Sequence, residues 1–159
     1  MKPPTRRLAL ALTAVFSAGA LTAGCDSSVQ QPAITQQQAV ERVTARAQEA
    51  LQQLPPGATL KAELNQPEIP CDNGPDGSTF AEIDYKIVYP EGWPVREVIA
   101  TLADYWAANG YKIVDDSRTN DKTPNLGVEH PDGFRIGASL TYRDNGTIDA
   151  YLISSSPCL

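Results

Sequence analysis

The alternation of hydrophobic and polar positions changes period along the chain and marks the first predicted element at Thr35. From there apolar residues recur three and four positions apart, which predicts an amphipathic helix. Thr35 and Gln38 have the spacing of a capping box, and Pro55-Pro56-Gly57 is predicted to stop the helix. The apolar stripe of this helix consists of Val40, Val43, Ala47, Leu51 and Leu54.

Two segments with strict alternation follow and predict strands. The first runs from Ala58 to Leu64 and is typical of a half-buried strand, with Ala58, Leu60, Ala62 and Leu64 on one face. The second runs from Ala81 to Tyr89 and gives the clearest strand signal in the chain. The residues between them, 67–78, are rich in Pro, Gly, Asn and Asp and predict a turn.

The remaining elements are a second helix and four strands. Pro94 suits the first position of the helix, and Asn109-Gly110 is a usual C-terminal stop. Asn145-Gly146 predicts a tight hairpin between the last two strands. The four predicted strands are Tyr111–Asp115, Leu126–His130, Phe134–Arg143 and Thr147–Ser154.

The order αββαββββ predicts an α+β fold. Consecutive hairpins favour a largely antiparallel sheet of about six strands, with the N-terminal helix and the second helix packed on one of its faces.

The first 24 residues have a pattern of their own. Lys2, Arg6 and Arg7 form a basic head, and the following 17 residues carry no charge. That stretch is shorter than the ~20 residues of a membrane-spanning helix, so a secretory signal peptide is favoured over a permanent membrane anchor.

The signal peptide is predicted to end at a lipidation site. Leu21-Thr22-Ala23-Gly24-Cys25 resembles a bacterial lipobox, whose Cys receives a diacylglycerol thioether and becomes the new N-terminus. Thr22 stands where the usual pattern has Leu, so cleavage after Ala20 remains the alternative. We therefore expect residues 1–24 to be a signal peptide, residues 25–34 a flexible tether reaching at most about 30 Å, and residues 35–159 a single domain.

Three cysteines are an odd number for an exported chain. Assigning Cys25 to lipid leaves Cys71 and Cys158 as one structural disulfide in an oxidising compartment. No Cys-x-x-Cys spacing supports a redox role, and two distant cysteines with a single His supply too few ligands for a metal. We expect no cofactor.

The net charge of the domain limits the classes of molecule that it can bind. The chain has 13 Lys+Arg against 19 Asp+Glu, and three of the basic residues lie in the predicted signal peptide. The domain is therefore strongly acidic and is expected to be repelled by phosphate backbones, which argues against a nucleic-acid partner.

Three groups of acidic or basic residues are candidates for metal binding or catalysis. The turn from Asp72 to Ser78 lacks the glutamate that closes a calcium loop, so a turn that positions the neighbouring Cys is expected. His130 is the single His and has no serine in a recognisable catalytic context, so a structural or solvent-facing role is expected. Glu82 and Asp84 share a strand face, where a solvated surface is expected.

Aromatic residues suggest a further site. Tyr89 and Trp93 flank a proline-rich turn, where ordinary core and helix-to-sheet packing is favoured and a ligand groove lined by this pair is the alternative.

The order of these features resembles a known family. A lipobox at Cys25, a Cys in a turn, a helix ending at Asn109-Gly110-Tyr111, and Gly133-Phe134-Arg135-Ile136 leading to a terminal Cys158 resemble actinobacterial LppA-like lipoproteins. The resemblance implies an address at the outer face of the cytoplasmic membrane and a Cys71–Cys158 pair. It brings no catalytic residues with it.

These features predict a lipid-anchored envelope lipoprotein. The expected activity is non-catalytic binding of another envelope component, protein or glycan. The alternatives are a carrier of a small apolar ligand between helices and sheet, and a hydrolase that uses Glu82 and Asp84 or His130.

Overall fold

The computed structural model describes residues 34–72 and 77–159, in which two helices pack against a six-stranded sheet. The predicted order αββαββββ is confirmed, and a short 3-10 turn leads into the second helix. The elements are α1 (Gln36–Leu51), β1 (Thr59–Pro70), β2 (Thr79–Val88), the 3-10 turn (Val95–Glu97), α2 (Val98–Ala108), β3 (Lys112–Asp116), β4 (Asn125–Glu129), β5 (Arg135–Tyr142) and β6 (Ile148–Ser155).

The sheet is antiparallel throughout and has the strand order β1-β2-β6-β5-β4-β3. Strands β3 to β6 form a meander, and β6 closes the sheet by pairing with β2 as well as with β5. Since β3 lies at the opposite edge from β1, the segment containing α2 connects the two halves of the sheet.

Both helices cover the same face of the sheet. Helix α1 contacts β1, β2 and β6, while α2 contacts β4 and β5. The largest fully buried apolar side chains lie between these layers, where their removal from water drives folding. They are Trp106, Phe134, Ile87, Leu102, Leu126, Leu140, Leu152, Val43, Val98 and Val128.

The helix ends follow the predicted signals. The Thr35 hydroxyl accepts a hydrogen bond from the Gln38 N–H at 3.2 Å, and the Gln38 side chain accepts one from the Thr35 N–H at 2.9 Å. This reciprocal pair is the predicted capping box. Helix α2 ends at Asn109, and Gly110 follows with φ +78°, a conformation that glycine adopts without strain.

Strand β1 differs from its prediction in length and in facing. It continues through Pro67 to Pro70, where a turn was predicted, because an edge strand tolerates proline. Its register with β2 shifts between Ala62 and Leu64, which is the mark of a β-bulge. The extra residue turns Leu64 away from the core, and its side chain is 40% exposed rather than buried as the alternation had predicted.

The predicted disulfide is confirmed. Cys71 and Cys158 are bonded, with their Cα atoms 6.2 Å apart, within the usual range for a disulfide. The chain beyond β6 also bonds to β2, since Ser156 N–H donates to Ala81 C=O and Leu159 N–H donates to Thr79 C=O. The C-terminus is thus held by both a covalent bond and backbone hydrogen bonds.

The predicted signal peptide, Cys25 and residues 73–76 lie outside the described residues. Within residues 34–72 and 77–159, neither helix is long and apolar enough to cross a membrane.

Candidate functional site

One face of the sheet carries both helices, and we call the other one the open face. Residues of β2, β4, β5 and β6 that point away from the helices are half-buried or exposed, whereas their neighbours toward the helices are buried. No described element packs against the open face. The sheet therefore has one dry surface and one accessible surface, as is common for antiparallel sheets.

A shallow trough lies in the middle of the open face. Gly127 on β4 and Gly137 on β5 are directly paired across the two strands. Because neither has a side chain, a concavity of about 370 Å³ remains above them. Val114 and Ile153 form part of its walls, and their side chains are 50% and 38% exposed.

The two glycines are also required by the packing of the strands. A Cβ atom on Gly137 would lie 3.1 Å from the Leu126 carbonyl oxygen, and one on Gly127 would lie 3.3 Å from the Cβ of Asp115. A glycine inside a strand commonly marks such a close approach. The trough is therefore built by the backbone.

Two acceptor atoms on the open face lack a hydrogen bond. Asn125 Oδ1, beside the trough, and Asp84 Oδ1, on β2, are buried and have no partner among the described residues. An acceptor removed from water without a partner costs free energy, so both atoms favour an approaching donor.

The carboxylates Glu82 and Asp84 share the open face of β2, as predicted, but they are partly desolvated. Burial raises the pKa of Asp84 above its ordinary value. Burial and then the neighbouring charge of Asp84 raise the pKa of Glu82. A fully solvated face had been expected, and the difference arises because neighbouring strands remove water from side chains that alternation alone places outside.

A second cluster lies where α1 meets the turn between β4 and β5. Arg46 donates to Tyr111 Oη at 2.6 Å and to Asp132 Oδ2 at 2.8 Å, and His130 Nδ1 lies 2.7 Å from Asp132 Oδ1. His130 Nδ1 is also 2.9 Å from the Arg46 guanidinium. Nδ1 can accept from Arg46 only without a proton and can donate to Asp132 Oδ1 only with one, so the two contacts belong to different protonation forms of the ring.

Opposing effects set the acidity within this cluster. Burial alone would raise the pKa of Asp132, but hydrogen bonds from His130 and the Phe134 N–H and the charge of Arg46 outweigh it, so this pKa is lowered. Burial raises the pKa of Tyr111 against the opposing charge of Arg46. The cluster thus surrounds an ionised Asp132 with the Arg46 guanidinium, the His130 ring and the Phe134 N–H, and it joins α1 to the sheet.

Tyr89 and Trp93 stack on each other with ring centroids 5.4 Å apart. The indole of Trp93 is 8% exposed and donates to the Pro55 carbonyl, and the Tyr89 hydroxyl donates to the Ile148 carbonyl. A ligand would have to displace these internal bonds. The ligand groove given as the alternative at this pair stays a prediction.

The other sequence candidates do not gather at one place. Within residues 34–72 and 77–159, no group of three or more His, Cys, Asp or Glu side chains is placed to hold a metal ion. Asp72 is exposed, and Asp76 lies outside the described residues. Asp116 forms an ion pair with Arg118, whose hydrogen bonds lower the pKa of Asp116 to about 2.

The sequence patterns did not predict the trough or the role of Arg46 in the second cluster. Gly127 and Gly137 interrupt otherwise apolar strands, which is a recognised sign of close backbone approach and was the available signal. Arg46 gave no signal, because its partners lie 65 to 86 residues away in the chain.

Comparison with protein-family models and with curated proteins finds no match, so the open face is interpreted from its own geometry.

Proposed function

We propose that this chain is a lipoprotein anchored through Cys25 to the outer face of the cytoplasmic membrane, and that its folded domain binds another envelope component without catalysis. The binding surface in this proposal is the open face of the sheet, centred on the trough at Gly127 and Gly137. The lipid, the location and the binding activity are all part of the proposal.

The observation that carries the binding proposal is the trough. It combines apolar lining residues with one buried acceptor, Asn125 Oδ1, that has no partner in the described part of the chain. A monomeric domain gains nothing from such a surface, since apolar contact with water and unpaired acceptors both cost free energy. An occupant would remove both costs.

The non-catalytic part rests on how the candidate groups are engaged. The His130 ring contacts Asp132 and Arg46 within a network that joins α1 to the sheet. Asp84 and Glu82 lie on an open surface, without the enclosing cleft in which paired carboxylates act as acid and base.

Binding through the open face is tested by site-directed crosslinking in the organism that encodes the chain. A photoreactive amino acid replaces Ile153, at the trough, in the full-length chain. The matched control replaces Val88, which is 46% exposed on the same sheet face but lies at the far end of β2. We expect one or a few discrete adducts from position 153 and none from position 88. Equal labelling from both positions, or none from either, would contradict the proposal.

The anchor is tested separately by the intact mass of the chain extracted from membranes. We expect a chain that begins at Cys25 and carries added acyl mass, and Cys25→Ser should abolish both. A mature chain beginning at Leu21 would instead show cleavage after Ala20.

A carrier of a small apolar ligand is the second candidate. The trough volume of about 370 Å³ falls within the range of small-molecule sites. This site lies on the open face. The sequence had predicted such a ligand on the other side, between the helices and the sheet. Native mass spectrometry of the purified chain should then show a bound species that is lost on Ile153→Ser substitution.

A further inference from the structure

The three cations beside the trough all form ion pairs, but two of them share one carboxylate. Lys86 Nζ and Arg143 Nε contact the two carboxylate oxygens of Asp149 at 2.8 Å and 2.7 Å. Arg135 Nε contacts Glu129 Oε2 at 2.7 Å. Three cations and two carboxylates leave one surplus positive charge, which is outnumbered by the carboxylates that have no cation.

Three carboxylates of the open face are of that kind. Glu82, Asp84 and Asp115 form no ion pair with any residue in 34–72 or 77–159. Lys112, at the edge of the sheet, is paired across the strands with Glu129. Asp115 is paired with a glycine. Uncompensated negative charge therefore lies on both sides of the apolar floor.

The register places two of these carboxylates in one row with the trough. Reading across the strands, the row is Asp84, Ile153, Gly137, Gly127 and Asp115. Four strand spacings of about 4.8 Å put the two Asp residues about 19 Å apart along it. The row therefore has a carboxylate at each end and residues without charge between them.

We propose that the occupant of the trough is an extended polypeptide segment of an envelope protein that carries an apolar side chain with a cationic side chain two positions away on either side. This inference rests on the proposed function and specifies its partner. In an extended segment, residues i and i+4 lie about 14 Å apart on one side, and the long stems of two lysines span the remaining distance to Asp84 and Asp115.

The carboxylates of the row favour a cationic peptide over a neutral glycan or an anionic lipid as the occupant of the trough. A neutral glycan could donate to Asp84 Oδ1 and Asn125 Oδ1, but it would leave the carboxylates uncompensated. Anionic lipid headgroups would be repelled by them. A cation beside Asp84 favours its ionised form, which opposes the effect of burial on the pKa of this carboxyl.

The test uses the chain as purified from cells, kept in nonionic detergent so that any attached lipid is retained. Fluorescence anisotropy follows four labelled peptides at low ionic strength: Ac-Lys-Ser-Leu-Ser-Lys-NH2, the same peptide with Glu for both Lys, the same with Ser for Leu, and a scrambled version. We expect the first to bind at least about tenfold more tightly than the other three, since two weak ion pairs and one apolar contact act together. Maltotriose serves as the glycan probe.

Variants then locate the binding site. Asp84→Asn and Asp115→Asn should each weaken the lysine peptide about two- to fivefold, as expected for exposed ion pairs, and Ile153→Ser should weaken it further. Val88→Ser and Asp144→Asn are the matched controls, because they remove an exposed apolar side chain and an exposed carboxylate outside the row. The controls should leave the affinity unchanged, and urea denaturation should show that every variant is folded under the conditions of the binding assay.

The outcomes separate the two proposals. Equal binding of the lysine and glutamate peptides, or lysine-peptide binding that survives Asp84→Asn with Asp115→Asn, overturns the inference. Maltotriose binding that depends on Ile153, without lysine-peptide selectivity, also overturns it while leaving the open face as a binding surface. Absence of crosslinks from position 153 in cells overturns the proposed function itself.

Discussion

At the residue scale, Arg46 makes polar contacts with three side chains that are distant in the sequence, Tyr111, His130 and Asp132. Its guanidinium binds Tyr111 and Asp132 and lies over the Tyr111 ring, with 18% of its side chain exposed. Removing it takes one donor away from Asp132 and one from the Tyr111 hydroxyl, both of which are half-buried. We expect Arg46→Met to lower the free energy of unfolding by about 1–3 kcal/mol, measured by urea denaturation.

The matched control for this arginine lies one turn earlier on the same helix. Arg42 is exposed and stacks over the Phe134 ring at 5.8 Å, so Arg42→Met should cost at most about 1 kcal/mol. Arg46→Lys should fall between wild type and Arg46→Met, because a single ammonium cannot reproduce the forked contacts. Equal losses at positions 42 and 46 would contradict the role given to the network.

Asp84 is the residue for which the structure gives a pH-dependent prediction. Burial raises the folded-state pKa of Asp84 above its ordinary value, so the folded chain binds its proton more readily than the unfolded chain. The ionised form is therefore a penalty on stability at neutral pH, and it fades as the pH falls through the raised pKa. We expect Asp84→Asn to be more stable than wild type at pH 7, by about 1 kcal/mol or less, with the difference vanishing near pH 4.

The difference between variant and wild type is the quantity to measure. Asp132 and Asp149 have lowered pKa values, so both chains lose stability in acid from these groups and the loss cancels in the comparison. The neighbour Glu82 shares the open face, and its pKa should fall once Asp84 is uncharged. Asp144→Asn, in the exposed hairpin turn, is the matched control substitution. A gain at position 84 that persists unchanged to pH 4 would contradict the burial argument.

At the scale of elements, the start of α1 depends on the capping box. Thr35→Ala removes the hydroxyl that accepts from the Gln38 N–H, so this exposed donor at the start of the helix loses its partner within the protein. We expect a loss of about 1 kcal/mol in the free energy of unfolding, and Thr35→Ser should restore most of it. If serine proved as destabilising as alanine, the methyl group rather than the hydroxyl would be the important part of Thr35.

At the scale of the whole molecule, the Cys71–Cys158 disulfide closes a loop across most of the domain. Its sequence separation is 87 residues, for which chain entropy gives a stabilisation of up to about 4.5 kcal/mol. We expect Cys71→Ser with Cys158→Ser to lose about 2–5 kcal/mol in urea denaturation. Wild type should fall to the same stability when a reductant is added, whereas the double variant should not respond.

Hydrogen exchange is the measurement that would locate this loss of stability in the chain. The backbone bonds of Ser156 and Leu159 to β2 hold the terminal segment after the disulfide is removed, but a chain end frays more readily than an enclosed strand. Exchange should accelerate at these two amides well beyond the change expected from global stability. Unaltered local protection would mean that the backbone bonds alone hold the terminus.

Much of the fold follows from local patterns in the sequence. Periods of 3.6 and 2 residues distinguish the two helices from the strands, and Thr35, Asn109-Gly110 and Asn145-Gly146 mark ends and turns because their preferences act over a few residues. The disulfide could be assigned once Cys25 was given to lipid, since only two thiols remained.

Tertiary structure alone decided the features that depend on neighbouring strands. The bulge in β1 reverses the facing of Leu64, the glycines of β4 and β5 meet to form the trough, and Arg46 finds its partners across the fold. Each results from register or long-range packing, which a one-dimensional pattern does not encode. Sequence therefore determines which faces are apolar, while the pairing of strands decides what the open face presents to a partner.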